Sequence, residues 1–387
     1  MRNEQCPLCG SETESFLRLR FKAKMKLPTE FSVRHCALDN FLFVAAGDSQ
    51  DYDEYYESLA NDSYHTELAA GNLHSPIAIL QKSQLVKRLL GFFDQPRKVF
   101  DFGCGEASLL LELAGAFDAS TFRGFDPSPA AELGGKKAQA FGLDNLHVSD
   151  LETATANGPY DLIIVSHVLE HLLDFDLLLL LNTLLNENGL LYVEVPNPLA
   201  YSTQERREFL YYFDRLHVNH FTPQAVVRLA SKYGFGYVLH FEYVFPYRDG
   251  GDYPAQGIFF QKGGGLTEIS SRSILAAAQE YLSQERARAK SVAHQFNSYD
   301  GILVWGAGDN FFRSMENGGP LSGLPTLGIL DRCPQTIRIG DRQFVARQPH
   351  EGIRSHPWPV VITVSEGRQA LVEEVKRIDP ARVVFCI

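Results

Sequence analysis

The sequence predicts an α/β protein whose largest part is a parallel sheet covered by helices. An apolar strand pattern at Lys98–Phe102 leads into Gly103 and Gly105, and a Leu/Ala-rich helical segment follows. Strand and helix patterns then alternate from about residue 80 to 200, which requires right-handed crossovers between parallel strands. The strand and glycine pattern recurs at Ile302–Gly308, which predicts a second, smaller unit of the same kind.

The turn after the first of these strands has the residues of a nucleotide-binding loop. Gly103 and Gly105 allow a sharp turn and let a ligand approach the main chain. A dinucleotide fingerprint would need a third glycine three residues after the second, and Ser108 stands there. Asp101, two residues before the first glycine, instead favours a ligand with a cationic amino group.

Further strand patterns follow this turn and end in polar residues. The second strand leads into Asp126, at the spacing of an acid that holds ribose hydroxyls. The third ends at Asp150 and Leu151. The fourth is apolar along its length, as expected of a strand buried on both faces, and runs into His167. The four segments are 122–125, 146–151, 160–165 and 190–197.

The Asp-x-Gly-x-Gly turn and the strands after it resemble the class I S-adenosylmethionine-dependent methyltransferases. This resemblance implies a Rossmann-like sheet of seven strands and S-adenosylmethionine as the cofactor. It implies that an acid binds the ribose hydroxyls, that the end of the third strand contacts the adenine, and that the segment after the fourth strand lies at the rim of the pocket. The implied cofactor-binding residues are Asp101, Gly103, Gly105, Asp126, Asp150, Leu151 and His167.

The segment from His167 to His171 also spells the HxxEH pattern of zinc peptidases. In those enzymes both histidines lie on one helix face, and a distant third ligand completes the site. Here the segment follows a buried strand of a nucleotide-binding fold, which explains it without a metal. We therefore interpret Glu170 and His171 as packing and hydrogen-bonding groups at the rim of the cofactor pocket.

Composition excludes several classes of function. A chain of 387 residues predicts two or three domains. The net charge of −11 gives no basic face for nucleic acid, and no apolar run reaches the length of a membrane span. The first residues lack the apolar core of a signal peptide, and six unevenly spaced cysteines do not indicate a disulfide framework. We expect a cytoplasmic protein.

Three of the cysteines lie near the start of the chain. Cys6 and Cys9 form a Cys-x-x-Cys turn typical of a zinc knuckle, and Cys36 follows downstream. The fourth ligand is Asp39, which lies three residues after Cys36, or His35, or is missing altogether. We predict one structural zinc held by Cys6, Cys9, Cys36 and Asp39, with a metal-free hairpin as the alternative.

Residues 49–72 are acidic and rich in tyrosine, with poor apolar periodicity. The acidic residues of this region are typical of a solvent-exposed helix face. Tyr55, Tyr56 and Tyr64 are candidates for a lid over the active site, because aromatic loops can exclude water from a substrate. The spacing at 77–93 then predicts a helix that covers the sheet.

The C-terminal part begins with a long helical pattern at 270–296, read as a connecting helix. The Gly306-x-Gly308 turn behind the next strand lacks a third glycine, since Phe311 stands there, so dinucleotide binding is only weakly indicated. The unit is either a binding site for part of a nucleotide-containing substrate or a scaffold. The predicted domains are a zinc knuckle at 1–48, the methyltransferase domain at 49–265, the connecting helix at 266–299 and a Rossmann-like domain at 300–387.

This layout resembles the three-domain nucleotide-sugar C-methyltransferases, which methylate a carbon beside a keto group. Their catalytic stretch, approximately Asp-Gln-Ile-Tyr-His-Glu-His-Phe, aligns with Asp214–Phe221. His220 matches, while His217 stands at the tyrosine position and Asn219 at the glutamate position. The resemblance implies that His220 is the general base, oriented by His217 and Asn219, and an imidazole with an ordinary pKa suits that role. The departures leave carbon and oxygen methylation both open.

The predicted function is methyl transfer to a small molecule, with a nucleotide-linked sugar as the acceptor and neither nucleic acid nor membrane as a partner. One alternative is an oxidoreductase that uses NAD(P) in the C-terminal unit. The other is a catalytically silent nucleotide-binding protein. The sequence does not indicate an oligomeric state.

Overall fold

The computed structural model describes residues 4–24, 26–45, 49–58, 76–89, 96–204, 208–246, 252–265, 267–324, 327–333, 335–339, 342–364 and 367–387. The chain divides into two compact units that are interleaved in sequence. The first comprises Met1–Glu14, Arg34–Ala200 and Leu216–Leu275, and the second comprises Ser15–Val33, Tyr201–Arg215 and Ala276–Ile387. The domain boundaries expected from the sequence stay a prediction.

The regular elements alternate over much of the chain. The strands are β1 (Glu14–Arg20), β2 (Glu30–Cys36), β3 (Phe41–Val44), β4 (Lys98–Phe102), β5 (Thr121–Phe125), β6 (Leu146–Val148), β7 (Tyr160–Ser166), β8 (Leu185–Pro196), β9 (Asn219–Phe221), β10 (Phe235–Pro246), β11 (Asp252–Lys262), β12 (Ile302–Trp305), β13 (Leu327–Leu330), β14 (Thr336–Ile339), β15 (Arg342–Arg347), β16 (Val360–Ile362) and β17 (Val384–Cys386). The α-helices are α1 (Ser49–Ser58), α2 (Pro76–Leu89), α3 (Ser108–Ala114), α4 (Ala130–Ala140), α5 (Leu151–Ala156), α6 (Leu177–Leu184), α7 (Pro223–Lys232), α8 (Ile274–Gln295), α9 (Asp309–Met315), α10 (Pro349–Ser355) and α11 (Arg368–Ile378), and 3-10 turns lie at Leu169–His171 and Pro198–Thr203.

The first unit contains a seven-stranded sheet with the order β10-β11-β8-β7-β4-β5-β6. The five strands from β8 to β6 are parallel, whereas β11 runs antiparallel to both of its neighbours. The predicted α/β class and the seven strands are confirmed, but the sheet is mixed and not parallel throughout, and it is consistent with a class I methyltransferase. The strand order reverses beside β4, and open α/β sheets bind ligands in the crevice at the carboxyl ends of the strands at such a switch.

Both faces of this sheet are buried because its central strands carry apolar residues at successive positions. Phe100, Ile163 and Leu191 lie in the core on one face, together with residues of α6 and α7. Val99 and Leu162 lie in the core on the other face, with residues of α2 and α3. Burial of one such side chain contributes about 1.5–3 kcal/mol, so the packing fixes the strand ends that carry the polar residues.

A second sheet has the order β1-β2-β3-β9. Strand β9 pairs antiparallel with β3, with Leu42 opposite His220. Helix α7 starts directly after β9, where the Thr222 side chain accepts a hydrogen bond from Ala225 N and Pro223 occupies the first turn. Both residues are typical of a helix N-terminus, so the chain direction changes sharply after His220.

The second unit contains a sheet with the order β14-β15-β13-β12-β16-β17. Strands β15, β13, β12, β16 and β17 are parallel, and β14 pairs antiparallel with β15. Its identification as a Rossmann-like domain stays a prediction. Across the part of the chain that the structure describes, no helix combines the length and apolar character needed to cross a bilayer.

Candidate functional site

A cavity of about 590 Å³ opens at the carboxyl ends of β4, β5 and β7. This volume lies within the range of small-molecule sites. Its lining includes the predicted cofactor residues Gly103, Gly105, Asp126, Leu151 and His167. The other lining residues are Tyr52, Asp53, Tyr56, Phe102, Phe125, Pro127, Ser128, Val168, His171, Leu172, Leu173, Asp174 and Leu177.

The glycine turn after β4 needs both of its glycines. Gly103 has φ +79° and Gly105 has φ +53°, in the left-handed region that side chains rarely adopt. A Cβ on Gly103 would lie 2.4 Å from Cγ2 of Val168, whereas a Cβ on Gly105 would meet no atom within 4 Å. The main chain of the turn is therefore packed on one side and open toward the cavity on the other.

Asp126, which follows β5, is held firmly at the mouth of this turn. Its Oδ2 accepts a hydrogen bond from Gly105 N at 2.8 Å. Its Oδ1 accepts from Ser128 N at 2.8 Å and from Ser128 Oγ at 2.5 Å. Each carboxylate oxygen can accept more than one hydrogen bond, so Asp126 keeps capacity for a ligand, and its contact with ribose hydroxyls stays a prediction.

Asp101 lies near the end of β4 and is only 3% exposed. Burial raises its pKa to about 8, and the negative charges of Asp126 and Glu194 add to the shift. Its Oδ1 has no hydrogen-bond partner among the described residues. Asp101 is not among the residues that line the cavity, so its contact with a cationic amino group stays a prediction, which the partnerless buried oxygen favours.

Asp150 and Leu151 have different surroundings. Leu151 lines the cavity, but Asp150 is exposed and caps helix α5, where its Oδ1 accepts a hydrogen bond from Thr153 N at 2.7 Å. The contact of Asp150 with adenine stays a prediction.

His167 lies between two buried glutamates. Its Nδ1 is 2.9 Å from Glu170 Oε1, and its Nε2 is 3.2 Å from Glu194 Oε1. Burial alone would lower the pKa of His167, but hydrogen bonds and charges from both glutamates outweigh burial and raise this pKa to about 10. The imidazole is therefore a cation at neutral pH and cannot serve as a base.

Glu194 is a site residue that the sequence analysis missed. Its Oε2 accepts hydrogen bonds from the hydroxyls of Tyr192 and Tyr243, each at 2.5 Å. Its Oε1 accepts from Gln81 Nε2 at 2.5 Å and Ser166 Oγ at 3.0 Å. Burial raises the pKa of Glu194, but His167 and the tyrosine hydroxyls outweigh it and bring the pKa to about 2. An acid inside an otherwise apolar strand was the available signal.

The three predicted catalytic residues have different contacts. Asn219 is buried, and its Nδ2 donates to Leu169 O at 2.8 Å and to Leu172 O at 2.7 Å. It therefore holds the 3-10 turn that follows β7. The ring of His217 lies 5.0 Å from the ring of His171, which lines the cavity.

His220 is 2% exposed and does not lie among the residues that line the cavity. Burial lowers its pKa to about 3, with a further contribution from the charge of His217, and these outweigh the opposing effect of Glu170. The imidazole is thus neutral at pH 7 and a weak base. Its role as the general base stays a prediction, and this placement does not favour it.

The predicted zinc ligands come together in the first unit. Cys6 Sγ lies 3.1 Å and Cys36 Sγ 3.5 Å from Asp39 Oδ2, and Cys9 Sγ lies 3.6 Å from Cys36 Sγ. The four donor atoms lie within 4.8 Å of one another. Burial raises the pKa of Cys36 to about 11 and that of Cys6 still further. The other carboxylate oxygen of Asp39 lies 3.3 Å from Arg228.

This donor set fits a tetrahedral metal site. Main-chain N–H groups of Leu8 and Asp39 point at the sulfurs of Cys6 and Cys36, both at 3.4 Å. Hydrogen bonds of this kind stabilise thiolates, the form in which cysteine binds metal. Three sulfurs and one carboxylate oxygen are acceptable ligands for zinc.

Two aromatic residues of the acidic, tyrosine-rich region line the cavity, and these are Tyr52 and Tyr56. Tyr55, a predicted lid residue, is buried with its ring 5.8 Å from that of Tyr56. The third predicted lid residue, Tyr64, lies outside the described residues.

In the second unit, the Gly306-x-Gly308 turn leads into α9. Asp309 begins this helix, and its Oδ1 accepts a hydrogen bond from Arg215 Nη2 at 2.7 Å. Lys22 Nζ donates to Ala307 O at 3.0 Å. A carboxylate thus occupies the first position of the helix at which a dinucleotide fold would receive a phosphate.

Part of this chain matches a known domain family. Residues 77–240 match the family model described as a methyltransferase domain. No curated protein matches the sequence. The matched region contains the glycine turn, Asp126, His167, Glu194 and the segment from His217 to His220.

Several solved structures are similar to this chain. Magnesium protoporphyrin IX methyltransferase from Synechocystis PCC 6803 with bound SAH is 15% identical with a TM-score of 0.40, and the match covers 56% of this chain and 100% of that one. Coclaurine N-methyltransferase bound to N-methylheliamine and SAH is 18% identical, with a TM-score of 0.38 and coverages of 48% and 72%. The mitomycin 7-O-methyltransferase is 17% identical, with a TM-score of 0.39 and coverages of 56% and 62%. Likenesses this distant do not bear on the acceptor.

Proposed function

We propose that this chain is an S-adenosylmethionine-dependent methyltransferase that transfers the cofactor's methyl group to a small molecule, with a nucleotide-linked sugar as the acceptor class. The observation that supports the cofactor is the cavity at the carboxyl ends of β4, β5 and β7. There an open glycine turn and the Asp126 carboxylate suit the main-chain and ribose contacts of the cofactor. Asp101 lies on β4 outside the lining residues, and its partnerless oxygen is proposed to pair with the amino group.

When bound, the cofactor supplies a sulfonium-linked methyl group with a good leaving group, so the protein's task is orientation. Asp126 is held by Gly105 and Ser128 before any ligand arrives, which avoids reorganisation on binding. The Glu194 network fixes His167 and the start of the segment after β7. These contacts hold the cavity wall in one arrangement.

The acceptor class rests on the layout of the chain. A cysteine knuckle precedes the methyltransferase domain, and a parallel-stranded unit with a Gly306-x-Gly308 turn follows it. Asp309 at the start of α9 does not favour a dinucleotide in the second unit, because its carboxylate would repel a phosphate at that helix end. The same carboxylate can accept hydrogen bonds from sugar hydroxyls.

Zinc in the knuckle is part of the proposal. Cys6, Cys9, Cys36 and Asp39 would hold it, and its contribution would be structural because all four positions of a tetrahedral site are filled by protein atoms.

The proposal is tested by calorimetry followed by a transfer assay. S-adenosylhomocysteine should bind one site per chain, and NADH and NADPH titrated in parallel should not bind. Methyl-labelled S-adenosylmethionine is then incubated with a panel of nucleotide sugars, and label in the sugar supports the acceptor class. Binding of NADH or NADPH without S-adenosylhomocysteine would refute the methyltransferase function, and label transfer only to molecules without a nucleotide would refute the acceptor.

A further inference from the structure

Three side chains with metal-binding atoms converge beside the cavity. Glu170 and His171 lie on the 3-10 turn after β7, and His217 lies before β9. One donor atom from each lies within 4.8 Å of the other two. His171 also lines the cavity. The cluster is distinct from the cysteine knuckle and from the residues proposed for the ribose and amino group of the cofactor.

Glu170 gives an independent reason to expect a ligand. The residue is 0% exposed, and its Oε2 has no hydrogen-bond partner among the residues that the structure describes. Its Oε1 is held by His167 Nδ1 at 2.9 Å. A buried carboxylate oxygen without a partner is costly, because burial removes the water that would otherwise bind it. A cation at Oε2 would compensate for that loss.

The neighbours of His171 fix its ring as in a metal ligand. Its Nδ1 lies 3.0 Å from Leu216 O, and a carbonyl can only accept, so Nδ1 carries the hydrogen. Nε2 therefore keeps its lone pair. Metal-ligating histidines commonly donate their other ring N–H to a backbone carbonyl. Asn219 fixes the same turn through Leu169 O and Leu172 O, which gives this residue a positioning role.

We propose that Glu170, His171 and His217 form a site for a divalent transition-metal ion such as Zn²⁺. Two imidazoles and one carboxylate are a typical ligand set of zinc sites that keep a coordination position open. Metal–ligand bonds of about 2.0–2.2 Å place tetrahedral ligands roughly 3.3 Å apart, so the ion draws the three donors together. Glu170 and His171 make the hydrogen bonds expected of groups at the pocket rim, and the proposal adds a ligand role to them.

The metal site also indicates which atom of the acceptor is methylated, and this inference rests on the proposed function. The open position faces the cavity through His171 and takes an acceptor hydroxyl. Binding to the metal lowers the pKa of that hydroxyl, and its proton leaves to solvent. The oxygen then forms a bond to the methyl carbon while the carbon–sulfur bond breaks, which leaves neutral S-adenosylhomocysteine. The structure thus favours oxygen over carbon as the methylated atom, without a protein base.

The test is a Co²⁺ titration of the full-length protein after removal of metals with a chelator. Co²⁺ bound by thiolates gives sulfur-to-metal charge-transfer absorption, which separates the knuckle from a site of nitrogen and oxygen ligands. We expect one equivalent of Co²⁺ that shows ligand-field bands without charge transfer. His217→Asn and Glu170→Gln should weaken the binding of this Co²⁺ equivalent by at least tenfold. The control variant His147→Asn, at an exposed histidine, should not change its affinity.

Two further measurements keep the result decisive. X-ray absorption spectroscopy identifies the cobalt ligands in the wild-type protein and needs no variant. We expect scattering from imidazole ligands for the equivalent that lacks charge transfer. Sulfur ligands alone would overturn the site. S-adenosylhomocysteine calorimetry is run on each variant. Retained cofactor binding with no second cobalt equivalent overturns the metal site and leaves the methyltransferase function intact. Loss of cofactor binding in the wild type with cobalt bound refutes the function and not the site.

Discussion

Asp101 should make cofactor binding depend on pH. With its pKa raised to about 8 by burial and by the charges of Asp126 and Glu194, the carboxyl is protonated at neutral pH before a ligand binds. Pairing with the amino group of the cofactor requires the carboxylate. Binding therefore releases a proton, and the affinity falls by about tenfold for each pH unit below 8, until the lower pKa of the bound state is reached.

The magnitude follows from the span of the titration. Between pH 6.0 and pH 7.5, an interval of about 1.5 pH units, the free-energy cost of removing the proton from Asp101 falls by about 2 kcal/mol. This fall corresponds to an affinity about 30-fold higher at the upper pH. The affinity for S-adenosylhomocysteine should rise with pH over this interval. The amino group of the ligand remains largely charged there, so Asp101 dominates the change.

Calorimetry in buffers of different ionisation enthalpy measures both the affinity and the proton. We expect release of about one proton per ligand at pH 6.5 from the wild-type protein. Asp101→Asn keeps the shape of the protonated acid but cannot ionise, so its proton release should be near zero and its affinity nearly independent of pH. If the asparagine variant retains the 30-fold rise, or the wild type releases no proton, Asp101 does not meet the amino group.

Three other predictions concern separate parts of the protein. Asp126→Ala should weaken S-adenosylhomocysteine binding roughly tenfold or more, since hydrogen bonds to a charged group contribute about 1.5–3 kcal/mol each; calorimetry showing unchanged affinity in a folded variant would contradict the pocket. Elemental analysis should find one zinc in the cysteine knuckle, and Cys9→Ser should lose it; less than about a tenth of an equivalent in the wild type would show an empty knuckle. His220→Asn should keep turnover within about tenfold, because a base with a pKa near 3 is ineffective at pH 7; a 10²–10⁴-fold fall at unchanged cofactor affinity would make it the general base.

The sequence was sufficient for the parallel strands of the sheet and for the glycine turn because both depend on local patterns. Apolar strands and the Gly103-x-Gly105 spacing specify parallel strands and a tight turn wherever they occur. The antiparallel β11 was not predicted as a separate strand. Its place between β8 and β10 depends on contacts between distant segments, which periodicity does not encode.

The side-chain networks were less predictable for the same reason. Glu194 lies in an apolar strand pattern, and its role depends on Gln81 and Tyr243, which come from elements far away in sequence. His220 matched a motif, but pairing of β9 with β3 buries it away from the cavity lining. The HxxEH pattern could not reveal that His217 completes a cluster with Glu170 and His171.

The charges around the cavity suit a cationic methyl donor. Glu170, Glu194 and Asp126 are acids, and the His167 imidazolium balances one of their negative charges. Burial raises the pKa of Asp101, and the negative charges of Asp126 and Glu194 raise it further. S-adenosylmethionine brings a sulfonium and an ammonium group, whereas its demethylated product lacks the sulfonium charge. In the metal-free protein this negative site would interact more favourably with the sulfonium donor than with the demethylated product, and a divalent ion at Glu170 would reduce the difference.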